Sequence, residues 1–310
     1  MIGLDHIYFD GEDPPEDAGA RLCLRSLPTG RGASVRVRHG SNAPKRNEPT
    51  QVLSPFLRFV LSQSGLEPDW YRPKALNRRH AACLRALRIP SETQATAALS
   101  RDSRLLQTAL STLLIGVSGF FRDPAVFEHL REAVLPEVLR QADGVRVYSA
   151  GCSSGQELYS VAILLEELGA LSRGRLMGVD CRADAIRQAR SGRFAACELD
   201  SIGALRKQRH FRIEGPVASV LPHLKDRLEW EVGDFGNPRN ARVWDIILFR
   251  NAAIYLEPAH ANSVWRELDR QLRPGGALVT GSAERPPHGL GWARESSCVY
   301  RKPIKEGVTA

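Results

Sequence analysis

The turn Ala150-Gly-Cys-Ser-Ser-Gly-Gln-Glu157 gathers a thiol, two hydroxyls, a carboxylate and two glycines into one short stretch. As G-x-S-x-G it spells the nucleophile elbow of serine hydrolases, with Ser153 as nucleophile and Asp245 with His260 or His288 as partners in chain order. As a glycine turn leading from a strand into a helix, it marks where a nucleoside ligand meets the end of a parallel sheet. Gly151 and Gly155 are spaced G-x-x-x-G, whereas close approach to a pyrophosphate calls for G-x-G-x-x-G, so a dinucleotide is disfavoured. A ligand without phosphate remains, provided a carboxylate ends the next strand to accept ribose hydroxyls, and Asp180 stands there. The third reading is a tight connection with no ligand. Helices rather than strands precede the turn and no glycine-rich oxyanion loop is visible, which weakens the hydrolase reading.

The elements that must hold this turn follow from hydrophobic period. Residues 145–149, 176–180, 228–232, 245–249 and 277–280 read as strands, and 157–168, 182–191 and 259–272 as helices. Strands alternating with helices of this length specify parallel βαβ units, so the fold class is α/β. Residues 193–227 break the rhythm and predict a small β insertion, with a hairpin pairing 210–213 with 217–221.

Before the sheet, residues 51–122 read as a small all-α domain. Val52, Phe56, Phe59 and Val60 share one face, as do Leu76, His80, Cys83, Leu84 and Leu87, and then Leu105, Leu106, Leu110 and Leu113. Asp123 as N-cap and Pro124 at the first helical position open a linking helix over 123–141, its inner face carrying Phe127, Leu130, Val134 and Leu135. Residues 1–50 mix Asp-Pro-Pro, scattered glycines and charge without sustained period, and read as a disordered leader. The α/β domain is expected over 142–304.

The whole chain has 310 residues, 43% hydrophobic and 25% charged, which excludes collagenous and wholly disordered classes. No run approaches a membrane span, and Asp5, Asp10, Glu12 and Asp13 stand where a secretory signal carries basic residues, so a cytoplasmic protein without membrane insertion is expected. The six cysteines include no C-x-x-C pair and the eight histidines show no ligand spacing, so no metal is expected.

The net charge is +8, and residues 51–111 hold nine basic residues against four acidic ones, which implies an acidic partner. The basic set is Arg72, Lys74, Arg78, Arg79, Arg85 and Arg88. On a helix beginning near Lys74, Lys74, Arg78, Arg85 and Arg88 lie broadly on one side, with Arg79 nearer its edge. No aromatic residues interleave with these charges as a nucleic-acid platform requires, so nucleic acid is not expected.

Several segments, in order and spacing, resemble the chemotaxis receptor methyltransferases, the CheR family. They are Ser118-Gly-Phe-Phe-Arg-Asp123, the turn from Ser149 to Ser160, Ala189-Arg-Ser-Gly192, Phe249-Arg-Asn-Ala-Ala-Ile-Tyr255, Leu272-Arg-Pro-Gly-Gly276 and Gly281-Ser-Ala-Glu284. The resemblance runs from about Pro55 to Lys302. It implies a class I S-adenosylmethionine-dependent methyltransferase that converts glutamate side chains on acidic coiled-coil helices of chemoreceptors into methyl esters, leaving S-adenosylhomocysteine. A monomer is expected. An inactive or weakly active relative that binds cofactor or partner, or a methyltransferase for another substrate, is the alternative.

Position by position, the resemblance implies that Arg122 and Tyr255 border the transferring methyl. It also implies that Glu157 takes the amino end of the methionine moiety, that Asp180 takes the ribose hydroxyls, and that Arg250 and Asn251 line the pocket. Gly116, Ser118, Gly151, Gly155, Asp234 and Phe235 complete the expected cofactor contacts, and the six basic residues are the expected substrate-binding set. Gly116 stands where the family commonly has Asn, Ser118 where it has Thr, Gln156 where it has Glu, Leu158 where it has Pro, and Asp234-Phe235 where it has Asn-Leu. These departures imply weaker cofactor binding. A carboxylate acceptor is already ionised at neutral pH, so the implied reaction needs positioning rather than a general base.

Overall fold

The computed structural model describes residues 52–114, 116, 118–235 and 242–304; the expected leader over 1–50 lies outside them. Among the described residues ten strands form: β1 Val145–Ala150, β2 Gly174–Asp180, β3 Arg193–Ala195, β4 Phe211–Glu214, β5 Val217–Val220, β6 Leu228–Val232, β7 Trp244–Phe249, β8 Leu272–Thr280, β9 Ala293–Arg294 and β10 Val299–Arg301. Seven build the main sheet in the order β6-β2-β1-β7-β8-β10-β9. The first five are parallel, and β10 and β9 close one edge antiparallel. This is the expected α/β sheet of a class I methyltransferase.

Both sheet faces are apolar because alternate residues of the central strands enter different cores. Val145 and Val147 of β1 and Ile246 and Leu248 of β7 join one cluster, whereas Tyr148, Ala150, Ile247 and Phe249 join the other. The first cluster is covered by α6 Pro124–His129, α7 Leu135–Gln141 and α8 Gln156–Glu167, following the N-terminal helices α1 Pro55–Gln63, α2 Pro73–Asn77, α3 His80–Leu87, α4 Glu92–Leu99 and α5 Ser103–Leu113. Those five helices share the second cluster with the sheet, through Phe56 and Leu61 of α1, Leu76 of α2, Cys83 of α3, Leu99 of α4 and Leu110 of α5. Helices α9 Ala183–Ser191, α10 Ala204–His210, α11 Pro222–Lys225 and α12 Pro258–Gln271 complete the set.

Several local expectations are corrected. The helix expected from Lys74 is broken at Arg78 and Arg79 into α2 and α3, and Arg88 ends α3 with φ 56°, so the basic residues do not share one helical face. The break keeps Leu76 and Cys83 both fully buried while the Arg79 Nε donates to the Thr112 carbonyl of α5. Val52 is 74% exposed and leaves the expected apolar face. Asp123 makes no capping bond and takes φ 61°, its carboxylate being used elsewhere.

The linking helix carries a π turn at Leu130–Val134, where the Leu135 N–H reaches the Leu130 carbonyl. Pro136 follows at once and supplies no N–H, which favours a widened turn just before it. The insertion contains the expected hairpin as β4 and β5, with β3 as an unexpected third strand in the order β3-β5-β4. Strands β9 and β10 were also not expected.

The N-terminal helices are tied to the sheet by a strap at residues 70–72. Tyr71 bridges Leu256, the Arg72 N–H donates to the Tyr255 carbonyl (2.8 Å), the Glu257 N–H donates to the Trp70 carbonyl (2.8 Å), and the Trp70 ring stacks on His260 at 4.0 Å. Burial lowers the pKa of His260, with Asp234 pulling the other way. A base whose folded pKa is lowered is held neutral, so its contribution is complete above the unfolded value of 6.5 and is lost as pH falls below it. Thermal melts between pH 7.5 and 5.5 are therefore expected to show a larger fall for the parent than for His260→Phe, which keeps a stacked ring and cannot titrate. Equal falls would remove His260 from the acid response.

Candidate functional site

Strand β1 continues to β2 on one side and is flanked by β7 on the other, so the loops leaving β1 and β7 diverge. A crevice opens there at the carboxyl ends of the strands, the position where open parallel sheets take ligands. Ser118, Arg122, Gly151, Ser153, Glu157, Arg250, Asn251 and Tyr255 line its first part. Asp180, Arg182, Phe235 and Ala252 line its second part, which shares Gly116, Gly151, Asn251 and Tyr255 with the first.

Arg122 is presented by a strained segment. Phe121 and Asp123, on either side of it, adopt φ 52° and 61°, which is costly for side chains with a Cβ and is sustained only where surroundings enforce it. The anchors are visible. Phe120 packs edge-on against Phe194 and Phe211 of the insertion, the Phe121 N–H donates to the Ser160 Oγ (2.9 Å), and the Arg206 guanidinium lies 4.1 Å over the Phe121 ring. With both phenylalanines buried, the intervening geometry turns Arg122 into the cleft.

Arg250, at the end of β7, clamps this segment to α8. Its Nη1 donates to Glu157 Oε2 (2.9 Å), and its Nη2 donates to the Arg122 carbonyl (3.1 Å) and to Asp123 Oδ2 (2.6 Å). Glu157 also accepts from the Ser149 Oγ at 3.0 Å. Tyr255 is placed from the opposite wall by the strap at Arg72, whose Nε donates to the Leu256 carbonyl (2.7 Å).

Asp180 is 5% exposed, and its acceptor positions are fully engaged. Oδ2 receives the Ser153 N–H (2.8 Å) and Arg182 Nη2 (3.3 Å), and Oδ1 receives the Arg182 N–H and Nε, both at 3.0 Å. The Arg182 guanidinium occupies the space where a side chain at position 116 would run. Arg182 thus fills the room that Gly116 leaves, and nothing in the sequence reading singled it out.

Gly155, at the start of α8, has φ 91°, and a Cβ there would meet the Trp230 ring at 2.6 Å and the Ala189 Cβ at 3.0 Å. Its glycine is required by turn geometry and by packing against α9 and β6. Gln156 points away from the cleft, donating from Nε2 to Glu198 (2.8 Å), and Leu158 is core. Phe235 packs beside Phe249 and faces the second part of the cleft, and Asp234 precedes it.

Glu284 is a second residue with no role assigned from sequence. It is 3% exposed and accepts four backbone N–H groups, from Asn251 (2.7 Å), Ala252 (2.8 Å), Ala253 (2.7 Å) and Gly281 (2.9 Å). The loop that carries Asn251 and Tyr255 is shaped around this carboxylate.

The hydrolase reading does not assemble. The Ser153 Oγ donates to the Gly116 carbonyl (3.1 Å), Asp245 lies at the far end of β7 paired with Arg146 and Arg273, and His260 is stacked on Trp70. Of the basic set, Arg72 reaches the edge of the cleft and Arg79 is tied to α5, while Lys74, Arg78, Arg85 and Arg88 are exposed. What the cleft offers is two acidic side chains, three guanidiniums and an aromatic wall, a set suited to a ligand with a cationic centre, a diol and a flat ring.

Sheet order and cleft together define a class I S-adenosylmethionine-dependent methyltransferase. The family model described as CheR methyltransferase, SAM binding domain, matches residues 116–299, and the chain belongs to that family. A chemotaxis protein methyltransferase of Listeria innocua is 26% identical over 231 residues, 74% of this chain and 88% of that protein. Chemotaxis protein methyltransferase 1 of Pseudomonas aeruginosa is 30% identical over 176 residues, 53% and 64% of the two chains. A probable chemotaxis protein methyltransferase of Rhizobium etli is 31% identical over 196 residues, 57% and 70%. Among the described residues no helix is long and apolar enough to cross a membrane.

Proposed function

We propose that this chain methylates glutamate carboxylates on the acidic coiled-coil helices of chemoreceptor-like proteins, acting in the cytoplasm as a monomer in chemotaxis. The observation that carries the reading is the meeting of Arg122 and Tyr255 in one cleft with Glu157, at the switch point of the sheet. In this reading Glu157 takes the ammonium of the cofactor, Asp180 the ribose hydroxyls, and Asp234 with Phe235 the adenine, while Gly151 and Asn251 let the backbone come close. S-adenosylmethionine, when bound, supplies an electrophilic methyl group on a sulfonium.

The residues of the chain have a limited task. The acceptor carboxylate is ionised at neutral pH, so no group has to remove a proton from it. Arg122 orients that carboxylate by charge-assisted hydrogen bonds, and the Tyr255 hydroxyl aims it. Alignment of this kind supplies roughly 7–11 kcal/mol of a bimolecular barrier. The exposed Arg78, Arg85 and Arg88, with Lys74, steer an acidic helix toward the cleft, an effect that falls with ionic strength.

The test is transfer of labelled methyl from S-adenosylmethionine to a chemoreceptor cytoplasmic fragment. Label released as methanol by mild base is expected, and Arg122→Ala is expected to lower turnover by roughly tenfold or more while S-adenosylhomocysteine affinity stays within about threefold. Base-stable label would exclude carboxylate acceptors. The engagement of Asp180 by Arg182 favours one second reading, a relative that binds cofactor weakly; millimolar S-adenosylhomocysteine affinity in the parent chain would support it.

A further inference from the structure

At the opposite end of α8 from Glu157, three residues far apart in sequence converge: Glu166, His210 and His223. Their potential ligand atoms all lie within 4.8 Å of one another. Glu166 Oε2 is 2.9 Å from His223 Nε2 and 3.4 Å from His210 Nδ1. The His210 side chain is 3% exposed, yet its Nε2 has no hydrogen-bond partner and its Nδ1 has only the 3.4 Å approach of Glu166, which makes no well-aligned hydrogen bond. A buried imidazole held this poorly is costly unless something else occupies one of its nitrogens. The neighbouring Glu167 is taken up by Arg206 through two hydrogen bonds of 2.7 and 2.9 Å, so the local cation is not the missing partner for Glu166 or His210.

We infer that Glu166, His210 and His223 form a binding site for a divalent first-row transition ion of the zinc type. Two imidazoles and one carboxylate are the donors such an ion prefers, and three protein ligands leave a fourth position for water. With ligand bonds of about 2.0–2.1 Å, ligand atoms in a tetrahedral site sit roughly 3.3 Å apart. The Glu166 to His210 distance already matches. His223 must shift by roughly 1–1.5 Å, which its side chain, 43% exposed, can do by rotation while the buried Leu224 keeps α11 anchored.

The ligands come from α8, from the junction of α10 with β4, and from α11, so an ion would pin the inserted unit to the main domain. That unit carries Phe194 and Phe211, on which Phe120 rests two residues before Arg122. The site is therefore structural and acts on the cleft only through this packing. It does not depend on the substrate proposed above.

The experiment is titration of the full metal-free chain with cobalt(II), followed by visible absorption. One equivalent is expected to produce the d–d bands of a four-coordinate nitrogen and oxygen site, and His223→Ala, a change at an exposed position, is expected to abolish them. Zinc in excess is expected to raise the melting temperature of the parent by about 5 °C and that of His223→Ala by less than about 1 °C. The inference falls if the parent shows no saturable band, if His223→Ala binds as the parent does, or if a near-ultraviolet sulfur-to-cobalt charge-transfer band assigns the ion to a thiol such as the exposed Cys197.

Discussion

Asp180→Ala is expected to weaken S-adenosylhomocysteine binding about 100-fold or more in calorimetric titration, equivalent to roughly 2.7 kcal/mol. The carboxylate closes β2 at the edge of the cleft, and two hydroxyls hydrogen-bonded to a buried ionised acceptor account for a loss of this size. Because the same substitution leaves the Arg182 guanidinium buried without its partner, it also destabilises the fold. Asp180→Asn removes the same charge beside Arg182 but keeps an acceptor oxygen for the guanidinium or for one hydroxyl, so it separates loss of the charge from loss of the acceptor. A variant that stays folded and binds as tightly as the parent would remove Asp180 from the cofactor site.

Arg182 sets the sign of the companion experiment. All four acceptor positions of Asp180 are engaged, so a ribose diol can be held only when the guanidinium moves off. Arg182→Ala removes the competitor and leaves the Ser153 and residue-182 backbone donors in place, so affinity is expected to hold or to tighten. Gly116→Asn drives a side chain into the volume the guanidinium occupies and is expected to displace it. The glycine and the arginine thus form one adaptation, and the effect of Gly116 on affinity acts through Arg182.

The sequence exposed the parts of the fold in which one strand or helix carries its own signal. β1, β2 and β7 are largely apolar, β6 alternates Leu228, Trp230 and Val232 with two glutamates, and the positions of all four in the structure lie within a residue or two of those expected. β9 and β10 are two and three residues long, β10 pairing on the edge of β8 and β9 on β10, so no local pattern announces them. The break between α2 and α3 has no glycine or proline to mark it, and it follows from the contact of Arg79 with α5. In the cleft, Arg122 and Tyr255 were legible because they sit in dense motifs, whereas Arg182 is an unremarked arginine until the space beside Gly116 is known. The Glu166, His210 and His223 cluster was invisible for the same reason: helix packing, not spacing, brings its members together.

Glu284→Ala is expected to cost about 4 kcal/mol of stability, read as a lowered urea midpoint, and to lower cofactor affinity in parallel. In sequence Glu284 closes the Gly281-Ser-Ala-Glu284 segment after the last parallel strand, with no role of its own. In the structure it replaces solvent for four N–H donors, three of them about thirty residues away in the loop after β7. Each buried donor left unpaired costs about 1 kcal/mol or more, and the sum is a large fraction of a typical folding free energy of about 5–15 kcal/mol. Glu284→Gln is expected to fall close to alanine, because its amide nitrogen points donors at donors and only one oxygen remains to accept. Glu284→Asp keeps both oxygens on a shorter stem and is expected to be intermediate. The loop held here shapes Asn251, with φ 58°, and carries Tyr255, so loss of stability and loss of the cleft should follow the same rank, Asp above Gln and Ala. A Glu284→Ala chain within about 1 kcal/mol of the parent would mean that the loop holds its form without the carboxylate, and that the placement of Tyr255 rests on the strap at Arg72 alone.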